Sequence, residues 1–443
     1  THPPEGLVRI KYNVYDQDSV AADRLRIESH LQKEGFFAAK VTQVETAKVR
    51  DRYIDVVFQI EEGEPTRLAS VGIAGVPSEP PGLRDRAFDV LEIGNGDRYS
   101  ETKYLLAKQA LTKLMAEEGY PFAEITGQVL VDRYRHKAAA RFLVDAGQRV
   151  TLEQGTISGL TYFPSATIAK RIAWKPGQRY APGLIKKTRN DILSLQHFST
   201  VRIGLDREQG TRIPPNLAIR ESERNELRAG GGFAMDPLQW RARLRGGYTR
   251  RGFLSPLNTL TIDLRPAYAI AREQDGAVSG FVGELLLAID RIDFPADFYS
   301  SRVQVGYQID EVEAFSTRGP QLSLSTNRRF YRQRIRASAG WGIRLDDFFQ
   351  VRVTSSEEAG IPASNSQRVG YYQQSILADF RDGVLQPTKG FFARFRIEEG
   401  TPFAGGVSSY IRVEPEARGY YSPVPRLVLA ARVAGGTDLL GED

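Results

Sequence analysis

The C-terminal half of the chain, from about Glu226 onward, alternates apolar and polar residues with a period of two. In Thr259–Ile270, for example, Leu260, Ile262 and Leu264 are separated by Thr or Asp residues. Successive side chains of a β-strand point to opposite faces, so this pattern predicts strands with one apolar and one polar face. About eleven such segments follow one another, most of them roughly eight to fifteen residues long. The pattern therefore predicts a large antiparallel sheet.

Two classes of protein use such a sheet, the soluble β-sandwich and the transmembrane β-barrel. Most segments reach or approach the roughly 9–11 residues that a tilted strand needs to cross a bilayer. Their polar faces contain both Arg and acidic residues, and aromatic residues such as Tyr420 and Tyr421 cluster near segment ends. The mean hydropathy of −0.36 is compatible with a barrel, because each strand presents only half of its residues to lipid. These features favour the barrel over the sandwich.

The N-terminal half, up to about residue 225, contains an internal repeat of roughly 80 residues. The spacing of apolar residues predicts helices over Val20–Glu34, Glu101–Glu118 and Ile185–Leu195, each followed by a short strand. The first two helices end alike, at Gly35 and Gly119, each preceded by Glu and followed by an aromatic residue. Each repeat is predicted to run strand, helix, helix, strand, strand, which is an α+β unit.

Composition argues against several kinds of functional site. The chain has no cysteine, which excludes disulfides, thiolate metal sites and Cys nucleophiles. The net charge of +6 is spread along the chain and indicates no nucleic-acid partner. Of the four histidines, His136 and His197 are predicted to lie at the surface, and no metal, cofactor or enzymatic activity is predicted. Six acidic residues are interpreted as solvated charges balanced by Arg rather than as catalytic carboxylates: Asp290, Asp293, Asp297, Asp310, Glu311 and Glu313.

Short motifs carry a resemblance to a known family. The helix end Glu118-Gly119-Tyr120 is similar to a recurrent feature of POTRA modules. Gly63-Glu64-Pro65 and Gly147-Gln148-Arg149 resemble the entry into the next module, and residues 381–390 resemble the D-x-x-x-x-P-x-x-G turn of the associated barrel. The chain thus resembles the BamA/TamA-type outer-membrane assembly superfamily, in which periplasmic POTRA modules precede a membrane barrel.

The resemblance implies α+β POTRA repeats (βααββ) followed by an antiparallel transmembrane β-barrel. The implied domains are residues 1–64, 65–148 and 149–224 for three POTRA modules, the first short at its start, and 225–443 for the N-terminal part of the barrel. Three modules are most similar to the outer-membrane subunit of the translocation and assembly module. A family barrel has about sixteen strands, so we expect an R-G-F/Y loop and about five more strands to be encoded beyond residue 443.

The resemblance also assigns two candidate sites. The first strand of the barrel would form a weak lateral seam, through which clients enter the membrane. A nucleotide-binding loop is the alternative for its glycine triplet, but no helix follows and no Lys-Ser/Thr closes it. The second site is the hairpin turn of the barrel, represented by Asp382, Pro387 and Gly390. The seam residues are Glu226, Arg228, Gly230, Gly231, Gly232 and Phe233.

The function implied is recruitment of unfolded β-rich client proteins and their insertion into, or passage across, the bacterial outer membrane. The implied partners are those clients, the lipid bilayer and a TamB-like protein anchored in the inner membrane, without a cofactor. A two-partner secretion transporter is the alternative within the family. A non-enzymatic surface β-sandwich binding protein is the alternative from another class, and it would stay folded and monomeric without detergent.

Overall fold

The computed structural model describes residues 15–50, 53–235, 239–271, 279–311, 316–331, 333–349, 366–424 and 427–440. The chain divides into two compact units, each described by itself below. The first unit comprises Thr1–Thr156, Ile172–Arg189 and Ile203–Leu217, and the second comprises Ile157–Arg171, Asn190–Arg202 and Ala218–Asp443. The module boundaries given by the resemblance stay predictions.

The predicted helices are present, each within a few residues of its predicted bounds. Asp16 and Ser100 cap the first and third helices by accepting hydrogen bonds from the backbone N–H of Ser19 and Lys103. No helix in the described part of the chain is long and apolar enough to span a membrane. The elements before residue 222 are α1 (Gln17–Lys33), β1 (Lys40–Arg50), β2 (Tyr53–Glu61), β3 (Arg67–Ala74), α2 (Leu83–Asp89), α3 (Glu101–Glu117), β4 (Glu124–Asp132), β5 (Lys137–Asp145), β6 (Thr151–Leu152), β7 (Thr156–Ser158), α4 (Ser165–Ala169), β8 (Gln178–Arg179), α5 (Pro182–Leu193), β9 (Phe198–Gly204), β10 (Arg212–Ile213) and β11 (Asn216–Glu221).

The predicted order of strand, helix, helix, strand, strand is seen most completely in β3 to β5. The three strands form one sheet in the order β3-β5-β4, with β3 parallel and β4 antiparallel to β5. The two helices pack on this sheet because Leu83, Leu111 and Met115 bury their side chains against Phe142, which is fully buried. Gly119 ends the second helix at a φ of +98°, a conformation that favours glycine.

The C-terminal half forms one continuous antiparallel sheet in which each strand pairs with the next along the chain. Two stacked sheets would make a sandwich, so the sandwich alternative is wrong. The last two strands, β22 and β23, both pair with the same side of β21. Only Gly435 and Gly436 separate them, so they count as one interrupted strand. The prediction of about eleven strands is therefore confirmed. The strands are β12 (Asn225–Met235), β13 (Gln239–Arg251), β14 (Asn258–Ala271), β15 (Gly280–Ile292), β16 (Tyr299–Glu311), β17 (Ser316–Phe330), β18 (Ile335–Phe349), β19 (Ser366–Asp379), β20 (Gly390–Gly400), β21 (Tyr410–Val424), β22 (Leu427–Ala434) and β23 (Thr437–Leu440).

The two faces of this sheet differ as the alternation predicts. On one face, apolar residues stand opposite each other from strand to strand, for example Ile262, Leu287 and Val305. Many of these side chains are exposed, such as Leu287 at 41% and Val305 at 49%. A band of exposed apolar side chains across so many strands is typical of a surface that faces lipid. The other face carries ion pairs between neighbouring strands, such as Arg302 with Asp290 at 2.7 Å.

A charge placed on the apolar face tests this assignment. Leu287→Arg would place a guanidinium in lipid and lower the free energy of unfolding by about 2–4 kcal/mol if the site lies near the bilayer midplane. The matched control, Gln308→Arg, changes a residue of the polar face and should cost less than about 1 kcal/mol. Urea titration of the chain in lipid vesicles, read by heat-modifiable electrophoretic mobility, measures both. Equal costs for the two variants would contradict the assignment.

Candidate functional site

The predicted seam residues all lie on β12, which is one of the two edges of the large sheet within the described residues, the other being formed by β22 and β23. One side of β12 pairs with β13, with Gly230 opposite Arg245, Gly232 opposite Arg243 and Phe233 opposite Ala242. Within the described residues no strand pairs with its other side. In an edge strand every second residue turns its backbone N–H and C=O groups away from the sheet, so β12 offers a row of free hydrogen-bonding groups.

The side chains of β12 leave this edge open. Leu227 is 81% exposed and Phe233 is 61% exposed, and the three glycines between them are exposed as well. Around Gly230 an added Cβ atom would meet no heavy atom within 4 Å. Glycine gives a strand no side chain to pack against its neighbour and lowers its stability. The middle of β12 is therefore both accessible and weakly held.

The beginning of β12, in contrast, is fixed by ion pairs. The carboxylate of Glu226 accepts a hydrogen bond from Arg251 at 2.9 Å and lies 3.5 Å from Arg228. Arg251 also donates to the carbonyl oxygens of Glu223 at 2.8 Å and Gln196 at 3.1 Å. Glu226 and Arg228 thus anchor the strand at its first residues, while the glycines and Phe233 form its exposed part.

A buried ion pair lies in the same compact unit, between Arg171, two residues after the end of α4, and the turn from β15 to β16. The guanidinium of Arg171 donates two hydrogen bonds to Asp293, at 2.7 and 3.2 Å, and a third to the carbonyl oxygen of Thr167 at 2.8 Å. The side chains of Arg171 and Asp293 are only 3% and 7% exposed. Phe298 closes the turn, since its N–H donates to Asp293 at 2.9 Å and its ring lies 5.2 Å from the guanidinium carbon.

Asp293 is balanced by an Arg, as predicted, but the interpretation of its charge as solvated is wrong. Spacing in the sequence cannot show that Asp293 meets Arg171, which lies more than a hundred residues earlier. Asp290 conforms to the prediction because it pairs with Arg302. Asp297 is half-exposed, as predicted, but pairs with Lys170 at 2.6 Å rather than with an Arg. Glu313 lies outside the described residues.

The prediction that His197 lies at the surface is wrong as well. The ring is 2% exposed, Nδ1 donates to the carbonyl oxygen of Leu195 at 2.8 Å, and Nε2 lies 3.3 Å from Oγ1 of Thr259 at the start of β14. Burial lowers the pKa of His197 below its usual value, because the charged imidazolium is poorly solvated there. His136 lies in the turn before β5 and is one-third exposed, as predicted.

The second predicted site, the turn from β19 to β20, is held by Asp382. Its carboxylate accepts hydrogen bonds from the backbone N–H of Gly383 and Thr388, both at 2.9 Å, and from the Thr388 hydroxyl. These hydrogen bonds hold the pKa of Asp382 well below its usual range, and the bond from the Thr388 hydroxyl has the largest effect. Gly390 has a φ of +103°, a backbone conformation that favours glycine. Pro387, which lies between Asp382 and Gly390 in the sequence, is half-buried. The three residues build one turn, which is a structural role.

No group of three or more His, Cys, Asp or Glu residues placed to hold a metal ion occurs in the part of the chain that the structure describes. The candidate site is thus the free edge of β12, with the Arg171–Asp293 pair and His197 fastening other strands of the same unit. Such an edge recognises an extended polypeptide through its backbone.

Comparisons with known proteins agree with this architecture. Residues 293–442 match the Omp85 superfamily domain, and residues 5–63 match the POTRA family described as surface antigen variable number repeat. The chain is 20% identical over 448 residues to the outer membrane protein assembly factor BamA of Nitratidesulfovibrio vulgaris, covering 97% of this chain and 52% of that protein. It is also 20% identical to BamA of Neorickettsia risticii, covering 96% and 55%. The chain therefore spans about half the length of these two relatives.

Among solved structures, the crystal structure of Haemophilus ducreyi BamA lacking POTRA domains 1–3 is similar, with a TM-score of 0.53 at 13% identity, covering 85% of this chain and 71% of that one. These findings place an Omp85 superfamily domain at residues 293–442 and a POTRA domain before it, in agreement with the resemblance to the BamA/TamA-type superfamily. A POTRA domain thus precedes a large antiparallel sheet, and the protein is located in the outer membrane. The relatives are assembly factors rather than enzymes, whereas the absence of enzymatic activity in this chain stays a prediction.

Replacement of Arg171 tests the buried ion pair. Arg171→Ala leaves the Asp293 carboxylate buried and uncompensated, which should lower the free energy of unfolding by about 3–5 kcal/mol. The adjacent control, Lys170→Ala, removes the exposed pair with Asp297 and should cost less than about 1 kcal/mol. Urea titration in vesicles compares them, and equal costs would show that the Arg171–Asp293 pair is not the stronger anchor.

His197 makes stability depend on pH. Because its pKa is lowered in the folded state, the unfolded chain binds more protons below about pH 6.5, and stability falls as the pH decreases through that value. His197→Gln should flatten this part of the urea-midpoint profile between pH 7.5 and 5.0. A profile for His197→Gln as steep as that of the unsubstituted chain would contradict the assignment.

Proposed function

We propose that this protein is an assembly or translocation factor of the outer membrane, which recruits unfolded β-rich clients and aids their insertion or passage. The observation that carries the proposal is the free, glycine-rich edge of β12 in a sheet whose apolar face suits lipid. A client strand would add to this edge by backbone hydrogen bonds, which depend little on side-chain identity. Many different clients could therefore use the same edge.

No cofactor is needed in this proposal. An unfolded β-rich client exposes apolar side chains, and their burial in lipid supplies the driving force for insertion. In a bilayer an unpaired strand would leave backbone groups unsatisfied at several kcal/mol each. The edge of β12 would satisfy those groups on the first client strand and so lower the barrier to insertion.

The N-terminal modules would recruit clients in the periplasm. The sheet β3-β5-β4 has β3 and β4 as its edges, and β1 and β2 form a two-stranded sheet within the described residues. Either sheet offers edges to an extended client or to a TamB-like partner anchored in the inner membrane. The closer likeness to the outer-membrane subunit of the translocation and assembly module is part of the same proposal.

Two proline substitutions in β12 test the proposed function. Neighbouring residues of a strand direct their N–H groups to opposite sides. One of the two variants Gly230→Pro and Gly231→Pro therefore removes a hydrogen-bond donor from the free edge, and the other removes a donor to β13. The variant altered at the free edge should fold normally in vesicles but lose the acceleration of client folding. The readout is the rate at which a urea-unfolded eight-stranded barrel protein becomes heat-modifiable.

The companion proline variant is the control, because it should fold less stably. Full client acceleration by a normally folded free-edge variant would contradict the proposal. A two-partner secretion transporter would instead leave the folding of such an unrelated client unaccelerated even with the unsubstituted chain.

A further inference from the structure

The polar face beside the free edge is strongly cationic. Arg241, Arg243 and Arg245 are alternate residues of β13 and therefore share one face of the sheet. Their partners on β12 are Ala234, Gly232 and Gly230, in that order, which are all small. Beside these short residues of the edge strand, Arg243 and Arg245 are exposed, whereas Arg241 is partly buried.

Arg243 extends over the edge strand. A Cβ atom added to Gly232 would lie 3.2 Å from Nε of Arg243 and 3.9 Å from Nη2, so the guanidinium lies across the backbone of this glycine. Any side chain at position 232 would compete for that space. The absence of a side chain at Gly232 thus leaves space for the guanidinium of Arg243 over the edge strand.

The charge of Arg243 is not neutralised by its neighbours. Asp263 is shared by Arg245 at 2.9 Å and Arg265 at 2.7 Å, and Glu226 is occupied at the beginning of β12. Within the described residues Arg243 forms no ion pair. A concave space of about 720 Å³ lies beside Arg241, Arg243 and the three glycines, which leaves room for the side chains of another strand. The acidic residues Glu284 and Asp310 also line this space, and Glu284 pairs with Arg265 at 3.2 Å.

We propose that Arg243, lying across Gly232, selects incoming client strands that carry a carboxylate on their polar face. The segment that would bind to the free edge of β12 is extended, with apolar residues on one face and an Asp or Glu on the other face, next to Gly232. This inference rests on the proposed function and names the class of substrate. Opposite charges on adjacent strands stabilise their pairing, so the carboxylate would set the register in which the client docks.

The absence of cysteine from the chain allows a clean test. Ala229→Cys places a single thiol on the apolar side of β12, opposite Gly246. Three ten-residue strand peptides, each with one cysteine on the apolar face and differing only in a Glu, Gln or Lys on the polar face, serve as probes. The rate of disulfide formation with the full chain in vesicles, with copper–phenanthroline and dissolved oxygen as the oxidant, measures docking at the edge.

The Glu peptide should react about two- to fivefold faster than the Gln peptide, and the Lys peptide more slowly still. Arg243→Gln should abolish the preference, and Arg243→Glu should reverse it in favour of the Lys peptide. The reversal cannot arise from misfolding, because a misfolded edge would react slowly with all three peptides. Arg336→Gln, which alters an exposed arginine of β18 far along the sheet, should keep the preference for Glu.

Two outcomes separate this inference from the proposed function. Equal rates for the three peptides, all above the rate of a proline-rich peptide of the same length, would overturn the role of Arg243 and leave strand addition at β12 intact. Rates no higher than that of the proline-rich peptide would overturn strand addition itself, and the selectivity with it.

Discussion

The hydrogen bonds of the sheet backbone are the constraint on which the rest of this structure depends. Each strand from β13 to β21 satisfies its N–H and C=O groups on both sides through its neighbours in the chain. This pairing permits the apolar face to meet lipid, where no water can satisfy a free backbone group. The same constraint makes an unpaired edge reactive toward any extended chain, and the described part of β12 presents such an edge.

Charges organise the polar face and the turns around this backbone. Ion pairs between adjacent strands, such as Arg302 with Asp290, balance charges on the polar face. Arg243 beside the edge differs from these arginines because it forms no ion pair within the described residues. The Arg171–Asp293 pair is different in kind, because it is buried and bidentate. Breaking such a pair is costly, so it fastens the segment after α4 to the turn before β16. The turn fixed by this pair contrasts with the glycine-rich edge strand β12, where strand addition is proposed.

Much of this fold could be predicted from the sequence, because its signals are local. Alternation with a period of two predicts the strands, and glycines such as Gly119 mark where a helix must end. The pairing of Arg171 with Asp293 and the burial of His197 depend on contacts between distant segments, which local patterns do not contain. The position of β12 at an edge followed from family resemblance rather than from its composition. The reach of Arg243 over Gly232 required coordinates, since only the register of β12 and β13 brings these residues together.

The central claim is that β12 accepts a client strand through its backbone. Hydrogen–deuterium exchange of the full chain in vesicles, with and without a urea-unfolded barrel client, tests this claim most directly. The account predicts that exchange slows across residues 225–235 when the client is present and stays unchanged in β17, whose two sides are already paired. Unchanged exchange in β12 during productive client folding, or equal slowing in both strands, would contradict it.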